Sequence, residues 1–246
     1  MLPVSVVIVT KNEEHNIGDA LKSVSDAQEI IVIDSFSTDR TVGICRKYTD
    51  KVFQQEWQGF ARQKQSAVDR ANGTWVMILD ADERVTPELK AEISAVIANT
   101  ALNGFFVPRE NYFSGRRIRH GGWWPDHTLR LFRKDKGRLE HREVHEKVVI
   151  DGQAGYLKNP LKHYTYNSVQ DFIERNDRYS DLAAREILKK SGRAGLLSLT
   201  LKPLATFIKM YILKLGLLDG TKGLMLALLY TRYTFLKYAK TRRKEL

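Results

Sequence analysis

The sequence predicts an α/β fold, a mostly parallel sheet flanked by helices, and three observations carry that expectation. Residues 4–9, 29–34 and 75–79 are short apolar runs rich in β-branched side chains. Runs of that length bounded by polar residues mark strands buried on both faces. Helical patterns separate them, and strand alternating with helix at this spacing argues for parallel strands joined by crossovers. The third run ends abruptly in Asp80-Ala81-Asp82-Glu83, which delivers charge to a strand tip.

In order along the chain, the strand at 4–9 leads to a helix from about 16 to 24. The strand at 29–34 is followed by Ser37-Thr38-Asp39, residue types whose side chains accept from the free N–H groups of a helix start. A helical stretch over 42–48 comes next, then a short strand near Val52 and a helix from about 60 to 71. Pro87 opens a helix over 87–99, at a position where its missing N–H costs nothing. An apolar stretch at 104–108 follows, and from 109 to 142 the alternation gives way to Gly, Trp, Arg and His. Irregular structure and antiparallel strands are expected there, including 128–133, whose apolar period is two. Ser168 is the expected cap of a charged surface helix over 169–190.

In such sheets, ligands bind beyond the carboxyl ends of the strands, where strand order reverses. Three loops reach that rim: Thr10-Lys11-Asn12-Glu13, Asp34-Ser35-Phe36-Ser37 and Asp80-Ala81-Asp82-Glu83. Hard cations such as Mg²⁺ and Mn²⁺ prefer oxygen donors, and Mg²⁺ is commonly shared between one or two carboxylates and substrate phosphates. Taken alone, Asp-x-Asp is equally the acidic start of the turn before Pro87. No Gly-x-Gly-x-x-Gly follows the first strand and no Gly-Lys-Ser/Thr phosphate loop is present. Dinucleotide redox enzymes and phosphate-loop NTPases are therefore disfavoured.

Charge separates the chain into two parts. Residues 1–188 hold 27 Lys/Arg and 27 Asp/Glu, whereas residues 189–246 hold 13 and 2, so the whole excess of +11 lies in the tail. That tail is also rich in Leu, Ile, Tyr and Phe, unlike a plain basic arm, and nucleic acid is not an expected partner. The single cysteine, Cys45, excludes an intrachain disulfide and a multi-cysteine zinc site. Residues 1–10 carry no basic stretch ahead of their apolar run and do not resemble a signal peptide, so a cytoplasmic location is expected.

The blocks Val-Ser-Val-Val-Ile-Val-Thr-Lys-Asn-Glu-Glu at 4–14, Asp34-Ser35, and Leu79-Asp80-Ala81-Asp82-Glu83 together resemble family 2 glycosyltransferases, nucleotide-sugar enzymes of the GT-A fold. The resemblance covers roughly the first two-thirds of the chain, and three blocks in matching order are far more specific than one. Gly121-Gly122-Trp123-Trp124-Pro125-Asp126, Arg130-Leu131-Phe132-Arg133 and Val144-His145-Glu146 are similar to the branch containing lipopolysaccharide core glucosyltransferases of the WaaE type.

The resemblance implies that Thr10, Asn12 and Glu13 line the nucleotide pocket, with Asp34 on the base or ribose. It further implies Asp80 as a contact to ribose or sugar, Asp82 as ligand of a divalent metal, Mg²⁺ or Mn²⁺, and Gln63 and Lys64 as groups meeting the nucleotide sugar. Glu83 is expected only to begin the next turn. Such enzymes invert the sugar configuration in one displacement, which needs a base within hydrogen-bond reach of the acceptor hydroxyl. Where relatives carry Glu-Asp, this chain reads His145-Glu146; Glu146 is the expected base and His145 faces the diphosphate or metal. Asp126 is the second choice and Glu143 the third, while His141 and His145 also admit reading as a zinc pair. Arg130 and Arg133 are expected to share a face that receives phosphate or an anionic acceptor, and Trp123 and Trp124 are either sugar-stacking or core residues.

The expected organisation is a catalytic GT-A domain over 1–165 and a helical, basic, amphipathic region over 166–246. Within that region, 196–218 and 223–239 are apolar but interrupted by lysines, with no unbroken run of the roughly 18 to 20 apolar residues a bilayer span needs. These helices are expected to lie on an anionic membrane surface; the alternative is a helical hairpin packing its apolar face on the catalytic domain, with Leu218-Asp219-Gly220 as the turn. The resulting expectation is a metal-dependent hexosyltransferase, peripheral on the inner face of the cytoplasmic membrane. It moves sugar from a nucleotide-diphospho-sugar, foremost UDP-glucose, to a lipid-linked saccharide such as lipopolysaccharide inner core. The rivals are transfer to polyprenyl phosphate, and a non-catalytic membrane or nucleic-acid binding module on a degenerate GT-A fold.

Overall fold

The computed structural model describes residues 1–140 and 147–242. The chain divides into two compact units, the first formed by Met1–Arg109 with His127–His163, the second by Glu110–Asp126 with the chain from Tyr164 onward.

In the first unit, strands β1 (Leu2–Thr10), β2 (Ala27–Asp34), β3 (Val52–Gln54) and β4 (Trp75–Asp80) are connected by helices α1 (Ile17–Ser23), α2 (Thr41–Cys45) and α3 (Phe60–Asp69). Then come β5 (Glu83–Val85), α4 (Pro87–Ala98) and β6 (Gly104–Phe113), whose end runs into the second unit, where β7 (Arg116–Arg117) pairs with it. Strands β8 (His127–Arg133), β9 (Gly137–Glu140), β10 (Lys147–Ile150) and β11 (Ala154–Tyr156) follow, and β12 (Leu161–Tyr166) again crosses between units. The sheet runs β3-β2-β1-β4-β8-β6. Strands β1 to β4 pair in parallel, while β8 is antiparallel to both β4 and β6, as the two-residue period predicted.

Two apolar layers sandwich this sheet. Val4, Val6 and Ile8 face one layer with Leu21, Met77 and Leu131. Val7, Ile31 and Ile33 face the other with Ala67, Val68 and Phe132. Alternate residues of one strand thus feed both layers, which is why β1 and β4 read as unbroken apolar runs. Thr86 caps α4 by accepting from the Leu89 N–H at 3.2 Å, and Pro87 occupies its first turn.

Helix α2 departs from the expected 42–48 stretch: it spans only Thr41–Cys45. Asp39 does the capping work, accepting from the Thr41 N–H at 3.0 Å through one oxygen and from the Glu14 N–H at 3.1 Å through the other. Beyond Cys45 the chain closes in turns before Thr49 bonds the Ile30 carbonyl at 2.7 Å.

In the second unit, α5 (Val169–Ser191), α6 (Leu201–Phe207) and α7 (Gly220–Lys240) are joined by short 3₁₀ and π segments. Ser168 caps α5, accepting from the Asp171 N–H at 3.0 Å. Trp123 is a core residue, packed with Phe113, Ile118, Phe172 and Leu226, and so is not a sugar-stacking platform. Asp219, expected as a turn residue, is buried: it accepts from the backbone N–H groups of Arg119 and His120 and lies 3.2 Å from His120 Nδ1. The stretch from Leu196 to Leu213, expected to be too interrupted for a span, is one 18-residue helical run long and apolar enough to cross a membrane by length and composition.

Candidate active site

The parallel pairing sets the register of the carboxyl edge. Thr10 is opposite Asp34, Val9 opposite Asp80, and Asp34 opposite Gln54, so three strand ends finish level. From β1 the chain moves outward through β2 and β3 and returns on the other side at β4. The order reverses between β1 and β4, the place past the strand ends where ligands bind in sheets of this kind.

The two loops on the β1 and β2 side are stitched together. Asn12 Oδ1 accepts from the Thr38 N–H at 2.8 Å, and the Asn12 N–H donates to Ser37 Oγ at 2.8 Å. Buried Asp34 accepts from the Ser37 N–H at 2.9 Å, from the Ser37 hydroxyl and from Gln54 Nε2 at 3.2 Å. The Glu13 carboxylate receives Asn16 Nδ2 at 2.8 Å, and its N–H donates to Thr41 Oγ1 at 2.8 Å. Asn12 and Phe36 have φ of 52° and 55°, a left-handed conformation that Asn tolerates and Phe seldom adopts. Thr10 is 3% exposed and its hydroxyl is buried with no hydrogen-bond partner. An orphan of that kind on a strand end marks a place where a ligand group would complete the bonding.

Helix α3 supplies Gln63 and Lys64, both buried rather than on a solvated face. Gln63 Nε2 donates to Ser35 Oγ at 2.9 Å and to the Gln55 carbonyl at 3.2 Å, bracing the loop after β2. Lys64 Nζ lies 2.8 Å from Asp80 Oδ1.

The tip of β4 is a charge cluster. Arg130 Nη2, from β8, donates to Asp80 Oδ2 at 2.5 Å and to Glu83 Oε1 at 2.6 Å. Glu83, fully buried, also accepts the Asp80 N–H at 3.0 Å, so it closes the turn and holds the arginine instead of merely starting the next element. Burial would raise the Asp80 carboxyl, but the charges of Arg130 and Lys64 outweigh it and keep it well below the usual carboxylate range. Burial likewise opposes the Arg130 charge, and Asp80 and Glu83 reverse that and push it up. Arg130 is 5% exposed and committed to these carboxylates, which corrects its expected role as an open phosphate grip. Arg133 does not share that position: it stands over the Trp75 ring at 5.9 Å and 3.6 Å from Asp135.

His163, which the sequence did not single out, is brought here by β12. That strand runs antiparallel to β5 and sets His163 opposite Glu83, with Nε2 3.5 Å from Asp82 Oδ2. Both oxygens of Asp80 already receive a cation, which leaves Asp82, its side chain 17% exposed, as the carboxylate open to a metal. Among the described residues no group of three His, Cys, Asp or Glu side chains forms a cage. The donors fit an ion shared with substrate phosphates and water, the usual arrangement for Mg²⁺.

Asp126 belongs to the second unit, where it accepts from Asn111 Nδ2 at 3.0 Å. His145 and Glu146, with the alternatives His141 and Glu143, lie outside the described residues.

Comparison with known proteins identifies the family and the fold. The family model described as Glycosyl transferase family 2 matches residues 5–165. The lipopolysaccharide core biosynthesis glycosyltransferase LpsC of Rhizobium meliloti (strain 1021) is 29% identical over 252 residues, covering 97% of this chain and 92% of the relative. An uncharacterised glycosyltransferase of Rickettsia conorii is 26% identical over 99% of this chain and 91% of its own. Among solved structures, residues 1–349 of S. aureus TarS superpose with a TM-score of 0.51 at 18% identity, covering 97% of this chain and 89% of that one. The mannosyltransferase PcManGT from Pyrobaculum calidifontis, solved with GDP-Man and Mn²⁺, gives 0.51 at 16% identity over 99% and 88%. These likenesses show a GT-A fold.

Proposed function

Because the chain belongs to glycosyl transferase family 2, we propose that it moves glucose from UDP-glucose onto a membrane-anchored saccharide of the lipopolysaccharide inner core, with inversion. The similarity to LpsC supports the place in core biosynthesis. The observation that carries the reading is the β4 tip, where Asp80 is held ionised between Lys64 and Arg130 and Asp82 stands beside His163.

Each residue then has a task. Asp80 spends one lone pair per oxygen on its cations and keeps the others for a ribose or sugar hydroxyl. Asp82 and His163 hold the Mg²⁺ or Mn²⁺. Bound there, the ion offsets the charge that develops on the leaving diphosphate. Asp34, Asn12 and Glu13 shape the loops that receive the nucleotide, and the unpaired Thr10 hydroxyl gains a partner from it. Gln63 keeps Ser35 in place and Lys64 adds positive charge near the phosphates. Glu146 is the proposed base for the acceptor hydroxyl, with Asp126 second and His145 turned to the diphosphate. Residues 1–165 form the catalytic domain and 166–246 a helical region whose basic part, 189–246, meets the anionic inner face of the cytoplasmic membrane.

Calorimetric titration with UDP-, GDP-, CDP- and TDP-sugars in Mn²⁺ tests this. UDP-glucose is expected to bind, and Asp82→Ala or chelation to abolish binding. A wild-type chain that takes up no nucleotide sugar would sink the proposal.

A further inference from the structure

The helical region carries an exposed apolar stripe that its own unit leaves uncovered. Leu197, Leu201, Leu204, Ile208 and Ile212 recur every three or four residues and are 73%, 57%, 55%, 38% and 50% exposed. Such spacing places them on one helix face. The opposite face is the one that packs: Pro203 is buried, and Thr206 Oγ1 meets Thr234 Oγ1 of α7 at 3.2 Å. Lys202 and Lys209 are exposed and flank the stripe. Hydrophobic side chains bordered by ammonium groups are complementary to a surface that is apolar below and anionic above.

Whether this run stands across a bilayer or lies along it is decided by what it is tied to. At 1.5 Å per residue, 18 residues reach about 27 Å, close to the roughly 30 Å of hydrocarbon, so length alone does not decide between the two. Helix α6 is bonded along its length to α7, through Thr206 to Thr234 and through Lys202 Nζ to the Tyr238 hydroxyl at 3.2 Å. Helix α7 is in turn tied to the charged helix α5, with Arg232 Nη1 3.1 Å from Asp177 and Lys240 Nζ 2.7 Å from Asp181. An upright α6 would carry Asp177 and Asp181 to membrane depth, where charged side chains are costly. After Leu213 the chain also turns at once: Leu215 has φ 56°, and a short 3₁₀ segment leads into α7.

We infer that residues 196–213 lie in the plane of one leaflet of an anionic bilayer, as an interfacial hairpin with α7, and do not cross it. This rests on the membrane-facing reading of residues 189–246 given above. It adds that the apolar stripe sits at uniform shallow depth, with α5 on the water side.

Cys45, the sole cysteine, is buried, and burial pushes its thiol up to about 12, so an introduced exposed cysteine can be labelled selectively in the full chain. Leu197→Cys, Leu204→Cys, Ile212→Cys and, on α5, Tyr179→Cys are each labelled with a polarity-sensitive fluorophore. Each is mixed with phosphatidylethanolamine/phosphatidylglycerol vesicles carrying nitroxides at shallow or deep acyl positions. The expected result is a blue shift at 197, 204 and 212, with the shallow nitroxide quenching more at all three, and no shift at 179. Deep quenching at 204 with shallow quenching at 197 and 212 would overturn the in-plane arrangement while leaving the membrane partner intact. No shift at any site would overturn the membrane reading itself. A lipid-free dimer in sedimentation equilibrium that protects all three sites would assign the stripe to a second copy and overturn both.

Discussion

Lys64 Nζ stands 2.8 Å from Asp80 Oδ1, on the carboxylate oxygen that Arg130 does not use. The aspartate is therefore clamped from two sides, by a compact ammonium from α3 and by a guanidinium from β8. The Asp80 side chain keeps 30% of its surface exposed, whereas Glu83, the other partner of Arg130, keeps none.

Removing the arginine leaves Asp80 with Lys64 alone and the fully buried Glu83 with only Arg109 Nη1, 3.8 Å away. Breaking a buried pair leaves an uncompensated charge, a loss of roughly 3–5 kcal/mol, and Arg130→Ala is expected at the lower end because Asp80 retains some solvent. Urea denaturation measures it. Arg130→Lys keeps the charge on a shorter, strongly hydrated ammonium in place of the guanidinium nitrogen that meets both acids, and should recover only part of the loss.

Acid should find Glu29 early. Burial raises its carboxyl, but hydrogen bonds from the Asn72 backbone, Lys51, Ser5 and the Asn72 side chain outweigh that and bring it from 4.5 down to about 2. A lowered value in the folded state means stabilisation that is complete above 4.5 and lost as pH falls from there toward 2. Glu29→Gln is expected to flatten the stability curve in that window, by on the order of 3 kcal/mol. Equal slopes for the two proteins would refute it.

The parts of the fold carried by local chemistry were legible in the chain. β-branched runs announced β1, β2 and β4, Pro87 and Ser168 announced two helix starts, and level strand ends followed once those strands were parallel. The β4 cluster was only half legible. Glu83 and Arg130 are separated by 47 positions, and no period or cap signals that a buried carboxylate will meet a buried guanidinium. His163 depends on β12 folding back against β5, a pairing across some eighty residues within an ordinary alternating strand, Leu-Lys-His-Tyr-Thr-Tyr. Arg130 was expected to face a ligand because exposure cannot be told from burial when an arginine sits among Leu129, Leu131 and Phe132.

His163 gives the next prediction. His163 Nε2 lies 3.5 Å from Asp82 Oδ2, and removing a side chain that supports a metal-binding carboxylate typically costs about 10–100-fold in metal affinity. His163→Ala should raise the Mn²⁺ concentration needed for UDP-glucose binding by that order, with little change in the unfolding midpoint without metal. Wild-type Mn²⁺ dependence in the variant would remove His163 from the site.

The turn between α6 and α7 depends on two glycines. A Cβ on Gly223 would fall 1.9 Å from the Gly216 carbonyl oxygen, and one on Gly216 would fall 2.6 Å from the Met210 carbonyl oxygen. Backbone cannot yield as a side-chain tip does, so Gly223→Ala must push the turn apart. Protease cleavage within 210–223 is expected to accelerate in the variant, and an unchanged cleavage rate would show that the turn absorbs the methyl group.

Thr10 separates a binding role from a structural one. A buried hydroxyl without a partner carries a desolvation cost of about 1–3 kcal/mol, so Thr10→Val, which keeps the shape, is expected to leave stability unchanged or raise it. If a nucleotide group supplies the missing bond, the same substitution gives up about 0.5–1.5 kcal/mol of binding, a two- to tenfold weaker affinity for UDP-glucose. The two effects run in opposite directions, which no purely structural role of the hydroxyl produces. Thermal unfolding and calorimetry on one preparation read both, and a variant that loses stability while binding as the wild type does would show that Thr10 only completes the end of β1.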